Sequence, residues 1–493
     1  MNRSIRRLGI AMVVLYLALF VKLNWIQVVD KKSLDDNPLN TAQVRRDFNR
    51  PRGSISTADG VVLAQSVPNP DPKSEFDRVR TYPEGQLFGQ ATGFFSFQYG
   101  SSGLEKQYND VLSGTTFDQQ VRGFGDLLVA RENVGNLTVS LRKDVQEVAR
   151  DQLGDREGSV VAIDPRTGEL LGFWSFPSYD PSLISTTDQA AAKAAWTLYN
   201  AAPTQPMRAH QYQDRYFPGS TFKVVTGSVG LQTGKVTNDQ PVYPTATSYL
   251  PAQTNKAISN FGGESCGGAL PLILKQSCNS AFAEMGTETI GPTDMVAGAG
   301  SWGFNSAAPI DLPDPAKSVF PTDVGNNPPK LAQASIGQND VQATPLQMAL
   351  VAAGVANGGT IMKPHVMVSV RDSQGEEIQK YSPEKWLTPM SPEMAATMRQ
   401  DMLGVVQGGT ASRMQIPGYE VGGKTGTAQV GSDPPTSHAW IMGFAGPPGQ
   451  PASVAVAVVV LNQSGNNEAT GGVVAAPIAK AVMEKVLQVQ YGG

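Results

Sequence analysis

The longest apolar stretch of the chain stands near its start, running from Leu8 to Val21, pausing at Lys22 and resuming through LNWIQVV to Val29. As one helix, residues 8–29 would be about 33 Å long, enough to cross a bilayer if the Lys22 ammonium reaches for the interface. Arg3, Arg6 and Arg7 lie on the short side. That bias predicts a cytoplasmic N-terminus, with everything after Val29 exported. No small-x-small cleavage site follows the apolar run, so a retained signal-anchor, a single pass through the cell membrane, is expected rather than a removed signal peptide.

After the polar residues 30–49 the pattern turns to short apolar runs broken by Gly and Pro. GSISTADGVVLAQS holds Asp59-Gly60 between two such runs, as a hairpin turn would. This β-rich texture continues to about residue 154. From Ser159, SVVAIDPRTGELLGFWSF reads as two strands around the turn Asp164-Pro165-Arg166-Thr167-Gly168. TPLQMALVAAGVAN reads as a helix, HAWIMGFAG and ASVAVAVVVLN as strands, and residues 473–490 have helical spacing. Three parts follow: an N-terminus with its anchor helix (1–33), a β-rich module (34–154) and a large domain (155–493). The expected class is α+β, an antiparallel sheet flanked by helices. Phe88, Phe94, Phe95 and Phe97 fit core or module-interface positions.

Composition narrows the chemistry. A formal net charge of -4 over 493 residues offers no basic footprint, which argues against nucleic acid as a partner. Three His and two Cys form no metal-ligand pattern, and no metal or other cofactor is implied. Reactivity must then come from Ser, Lys and backbone dipoles.

The segment RYFPGSTFKVVTG places Ser220 after Pro-Gly and Lys223 three residues later, at the start of a helix. Alone this is equally an ordinary N-cap. The same spacing recurs at Ser140/Lys143 and Ser382/Lys385. Only Ser220, however, is followed in order and at workable distances by Ser277-Cys278-Asn279 and then by GGKTGT, residues 422–427. A further Ser-x-Asn at Ser464 comes too late to matter. Ser-x-x-Lys, Ser-x-Asn and Lys-Thr-Gly in that order form the motif set of penicillin-recognising serine enzymes. A serine hydroxyl needs a base within reach, and Lys223, one turn on and buried among apolar neighbours, can be that base. His210 would suit a Ser-His triad, but Lys223 already fills the role; His365 and His438 read as structural.

Around these motifs the chain resembles a class B penicillin-binding protein, of the PbpA type with a short pedestal. The resemblance runs through NRPRGSI, DGVVLA, RTYPEG, GLEKQY, AIDPRTGELL and FPSYDPS, and again through ASIGQ, ATPLQMA and VANGG. Where the family often has Asp-Arg before its pedestal turn, this chain has Thr57-Ala58. The resemblance implies a pedestal or dimerisation-like module carrying an extracytoplasmic transpeptidase domain. It implies that Ser220 forms an acyl-enzyme with stem peptides ending in D-Ala-D-Ala, and with β-lactams, in a peptidoglycan D,D-transpeptidase. Lys223 would be the base, and the N–H groups of Ser220 and Thr427 the oxyanion hole. Ser277 would pass a proton to the departing amine, Asn279 would hold a peptide group or a lysine, and Lys424 would fix positive charge. Thr425 and Thr427 would meet the terminal carboxylate, while Gly426 would let the substrate run alongside as an added strand. A glycosyltransferase of the SEDS family is the implied partner.

A D,D-carboxypeptidase, a β-lactam receptor or β-lactamase, and a non-catalytic scaffold are the rival readings. No Glu-x-x-Leu-Asn follows Ser277, Glu284 and Glu288 come too soon to replace it, and residues 309–329 hold no Glu. Cys266 and Cys278, the only cysteines, are either a disulfide pinning the entry to the Ser277 motif or two buried thiols.

Overall fold

The two apolar runs around Asp164 form the strands Gly158–Ile163 and Leu170–Phe176. Their turn closes on the Asp164 carboxylate, which accepts from the Arg166 backbone at 2.9 Å, and on Gly168 at φ 85°. A Cβ there would meet the Lys363 carbonyl at 2.3 Å. In this computed structural model, residues 2–28, 48–116, 119, 133–430, 436–464 and 470–491 are described. Val29, residues 30–47 and the expected boundary after residue 33 lie outside the described residues.

Five antiparallel strands make the central sheet, in the order Glu420–Val430, Thr436–Gly446, Val454–Ser464, Gly158–Ile163, Leu170–Phe176. The run Val454–Val460 is fully buried, as a strand covered on both faces must be. Helix Pro345–Ala356, buried along its whole length, packs on this sheet, as do Ala476–Tyr491 and Lys143–Leu153. Glu420–Val430, the strand that carries Lys424, is an edge strand. One of its sides is therefore free of a neighbouring strand.

A second sheet of six strands runs Glu377–Lys380, Met367–Arg371, Asn136–Val139, Ile55–Thr57, Val62–Pro68, Arg78–Thr81. Its first two strands come from a hairpin far along the chain, so the sequence division at residue 154 does not follow the sheet. The join is made by Met367–Arg371 pairing antiparallel with Asn136–Val139, a long-range register that no local pattern announces. NRPRGSI, RTYPEG and GLEKQY converge beside this sheet on one buried carboxylate. Glu105 accepts from Arg52 Nε at 2.7 Å, Arg80 Nε at 2.6 Å and Tyr82 Oη at 3.2 Å. Burial alone would raise the Glu105 pKa, but the two guanidinium charges outweigh it and keep the acid ionised.

The chain forms two compact units, Met1–Pro51 with Val67–Val79, and Arg52–Ser66 with Arg80–Gly493. In the first, Phe48 and Phe76 meet edge to face at 5.2 Å. The same unit holds the helix Asn2–Val28, in which Ile5–Trp25 has a mean hydropathy of 1.9 and is long and apolar enough to cross a membrane.

Candidate active site

Ser220 lies in a single 3-10 turn, Gly219–Phe222, that feeds directly into the helix Lys223–Gln232. Glycine is required just before it. Gly219 has φ 54°, and a Cβ would lie 2.9 Å from the Thr427 carbonyl. Gly219 N donates to the carbonyl of Gly337, in the ASIGQ segment, at 2.9 Å. A Cβ at Gly337 would approach the Gly219 carbonyl to 2.1 Å. The Ser220 turn is thus clamped between the third-motif strand and Gly337, a contact that no local pattern announces.

Lys223 is fully buried. Its Nζ donates to the Ser277 carbonyl at 2.7 Å, to Asn279 Oδ1 at 2.6 Å and, at 3.4 Å, to Ser277 Oγ. Ser220 Oγ has no hydrogen-bond partner among the described residues. Burial first, and the nearby Lys424 charge second, push the Lys223 pKa well below that of an ordinary lysine. Lys424 is also fully buried, and its Nζ donates to Ser277 Oγ at 2.8 Å and to the Thr425 carbonyl at 3.0 Å. Its pKa is lowered by burial to about 7. Neither lysine is ion-paired among the described residues. Two buried amines with no counter-ion among the described residues are expensive to charge together, and an anion from outside would relieve that cost.

Ser277 owes its aim to a strained backbone. It caps the helix Leu270–Gln276 at φ 60°, a left-handed conformation uncommon for serine. The next residue, Cys278, is joined to Cys266 by a disulfide. Cys266 sits in the strand Cys266–Gly268, paired with Tyr243–Ala246. The bridge therefore ties the middle residue of the motif to a two-stranded sheet. Alkylation of denatured, unreduced chain is expected to leave both cysteines unmodified, and mass spectrometry after reduction to find two new sites. Two alkylated cysteines without reductant would exclude the bridge.

Asn279 opens the helix Asn279–Glu284. Its Oδ1 is held by Lys223, and its amide donates to the Ser259 carbonyl at 2.9 Å. Thr425, 7% exposed, turns its hydroxyl to Thr410 Oγ1 at 2.7 Å. Gly426 faces the Ser220 turn, and a Cβ there would lie 2.7 Å from the Pro218 carbonyl. Its missing side chain thus lets strand and turn pack together. Thr427 is half-buried alongside Gly219.

The other candidates are occupied elsewhere. Ser140 Oγ donates to the Leu170 carbonyl at 2.8 Å, and Lys143 pairs with Glu84 at 2.7 Å. His210 Nδ1 bonds Asp214, and His365 stacks on Tyr381. Burial lowers the His438 pKa to about 4, and the ring meets Tyr216 edge on. Among the described residues, no group of three His, Cys, Asp or Glu could hold a metal ion.

This geometry agrees with what the chain is similar to. The penicillin binding protein transpeptidase domain matches residues 158–484, and the penicillin binding protein A dimerisation domain matches residues 52–137. The chain belongs to the penicillin-binding protein transpeptidase family. Within it, the chain is 36% identical over 504 residues to the peptidoglycan D,D-transpeptidase PbpA of Mycolicibacterium smegmatis, with 99% of each covered. It is 34% identical over 503 residues to PbpA of Mycobacterium tuberculosis, again with 99% of each covered. The solved structure of penicillin-binding protein A from M. tuberculosis, as an imipenem acyl-enzyme complex, superposes with a TM-score of 0.81 at 32% identity. That match covers 90% of this chain and 100% of the other.

Proposed function

We propose that the chain is a peptidoglycan D,D-transpeptidase that works through an acyl-enzyme on Ser220 and is inhibited when β-lactams acylate the same atom. The observation that carries this reading is the convergence of Lys223 and Lys424, both buried and without a counter-ion among the described residues, on Ser277 Oγ beside the Ser220 turn. Relatives named D,D-transpeptidases, and β-lactam acyl-enzymes in a similar structure, support it.

In the proposed sequence, neutral Lys223 takes the Ser220 proton as Oγ attacks the penultimate D-Ala carbonyl. The N–H groups of Ser220 and Thr427 receive the oxyanion. Collapse breaks the peptide bond, and Ser277, linked to both lysines, returns the proton to the departing D-Ala amine. An amine of a neighbouring stem peptide then attacks the ester, loses its proton through the same groups and frees Ser220. Asn279 holds Lys223 in register, and the third-motif strand receives the substrate, with Lys424, Thr425 and Thr427 facing its carboxylate end.

The same reading makes residues 1–33 the cytoplasmic N-terminus and anchor, 34–154 the pedestal and 155–493 the transpeptidase domain outside the cell. The Cys266–Cys278 bridge supports an oxidising location. A SEDS-family glycosyltransferase is the proposed partner, reached through anchor and pedestal.

The test uses the full chain in detergent micelles with a donor peptide ending in D-Ala-D-Ala and an amine acceptor. Release of D-Ala matched by cross-linked product is expected. Release matched only by hydrolysed donor would make the protein a carboxypeptidase, and rapid multiple turnover of nitrocefin would make it a β-lactamase.

A further inference from the structure

Thr425 occupies the position proposed for the substrate carboxylate, yet its carbonyl and its hydroxyl proton are already in use. Its carbonyl accepts from Lys424, and its hydroxyl proton goes to Thr410 Oγ1 at 2.7 Å. A hydroxyl carries one donor. Thr425, 7% exposed, therefore has no proton left for an incoming anion in this arrangement.

Thr410 is its complement. It is exposed, and in accepting from Thr425 it keeps its own proton free to donate. Its backbone is fixed on both sides. Gly409 N and Ala411 N both donate to the Val405 carbonyl, at 3.0 and 3.3 Å, past the end of the helix Pro392–Gly408, and Ala411 is fully buried. Gly472 closes against it, since a Cβ there would lie 2.4 Å from the Thr410 carbonyl and 3.4 Å from Thr425 Cγ2. The result is an exposed donor on a loop bonded back to its helix, one hydroxyl out from the row Lys223, Ser277, Lys424, Thr425.

We infer that Thr410 is a substrate-binding residue, whose hydroxyl donates to the carboxylate of the donor stem peptide or of a β-lactam while Thr425 holds it in place. This rests on the transpeptidase reading above. A charge-assisted hydrogen bond to a carboxylate is stronger than a neutral one, so its loss has a measurable rate effect.

The experiment compares acylation rates of the full chain by penicillin G and by its methyl ester, which lacks the charge. Thr410→Val is expected to slow the acid by about tenfold or more and to leave the ester within about twofold, while Thr410→Ser restores the acid rate. Acylation of Thr410→Val by the acid at the wild-type rate, or equal slowing on both compounds, would overturn the inference. Should Thr410→Val fail to melt cooperatively, Thr410→Ala enters the same comparison. Wild-type chain left unmodified by penicillin G would overturn both the transpeptidase reading and this one, whereas acylated wild type beside an indifferent Thr410→Val removes this one alone.

Discussion

Replacing Ser220 by Ala is expected to abolish covalent labelling of the chain by a fluorescent penicillin, while Ser140→Ala and Ser382→Ala leave it at the wild-type level. The three serines share a Ser-x-x-Lys spacing, so local sequence alone does not rank them. Their surroundings do. Ser140 spends its hydroxyl on the Leu170 carbonyl, and its companion Lys143 is paired with a carboxylate. Lys143 consequently stays protonated and is useless as a base; its pKa is raised, chiefly by the hydrogen bond to Glu84. Ser220 stands beside a buried lysine whose pKa is pushed the opposite way. Loss of the Ser140 hydroxyl bond costs roughly 1 kcal/mol of stability, too little to remove the fold. Labelling that survives Ser220→Ala, read by gel fluorescence, would sink the assignment of the nucleophile.

The second large effect concerns the base. Lys223→Met should slow penicillin acylation by about 10² to 10⁴, the usual worth of general-base assistance. Lys223→Arg should not rescue it, because a guanidinium does not give up its proton. The pH dependence follows from the two lysines. Lys223 is competent only when neutral, so acylation rises as pH rises through its depressed pKa. In the proposed role Lys424 would attract a carboxylate only when charged, so acylation by a carboxylate-bearing β-lactam is expected to fall as pH rises through its value of about 7. The groups share Ser277 Oγ and titrate as a coupled set, and the expected stopped-flow profile is a bell whose limbs belong to the pair. A rate that climbs only where an ordinary lysine loses its proton, or that is indifferent to Lys223→Met, would remove Lys223 from the base role.

Much of the arrangement that brings these residues together was legible in the linear chain because they stand in short motifs of fixed order. Ser220, Ser277 and Lys424 are far apart in sequence, yet each sits in a short pattern at the start of a helix, the end of a helix or along a strand. The strands around Asp164 and the continuous apolar run at Val454 were equally readable, since burial on both faces leaves no alternation to misread. What was not legible depends on distant pairing. Nothing local to Met367 or Glu377 says that they complete a sheet with Ile55 and Leu137. The left-handed backbone of Ser277 belongs to the helix end it caps, and two cysteines in a sequence are equally two thiols. Thr410 and Gly337 escaped for the same reason. A threonine after two glycines and a glycine in ASIGQ acquire meaning only when Thr425 and Gly219 come to lie against them.

The penicilloyl adduct itself is the most direct measurement. Full-length chain exposed to penicillin G, quenched over a time course, digested and mapped by mass spectrometry should carry one adduct, on the peptide bearing Ser220. That adduct should persist for many minutes to hours, because no Glu-x-x-Leu-Asn motif places a base for water after Ser277: Glu288 accepts from Tyr249 Oη at 2.8 Å, and neither Glu284 nor Glu288 bonds the Ser220 turn among the described residues. An adduct on any other residue, no adduct at all, or rapid loss of the adduct with continuing β-lactam turnover would overturn the reading of Ser220 as the nucleophile of a transpeptidase.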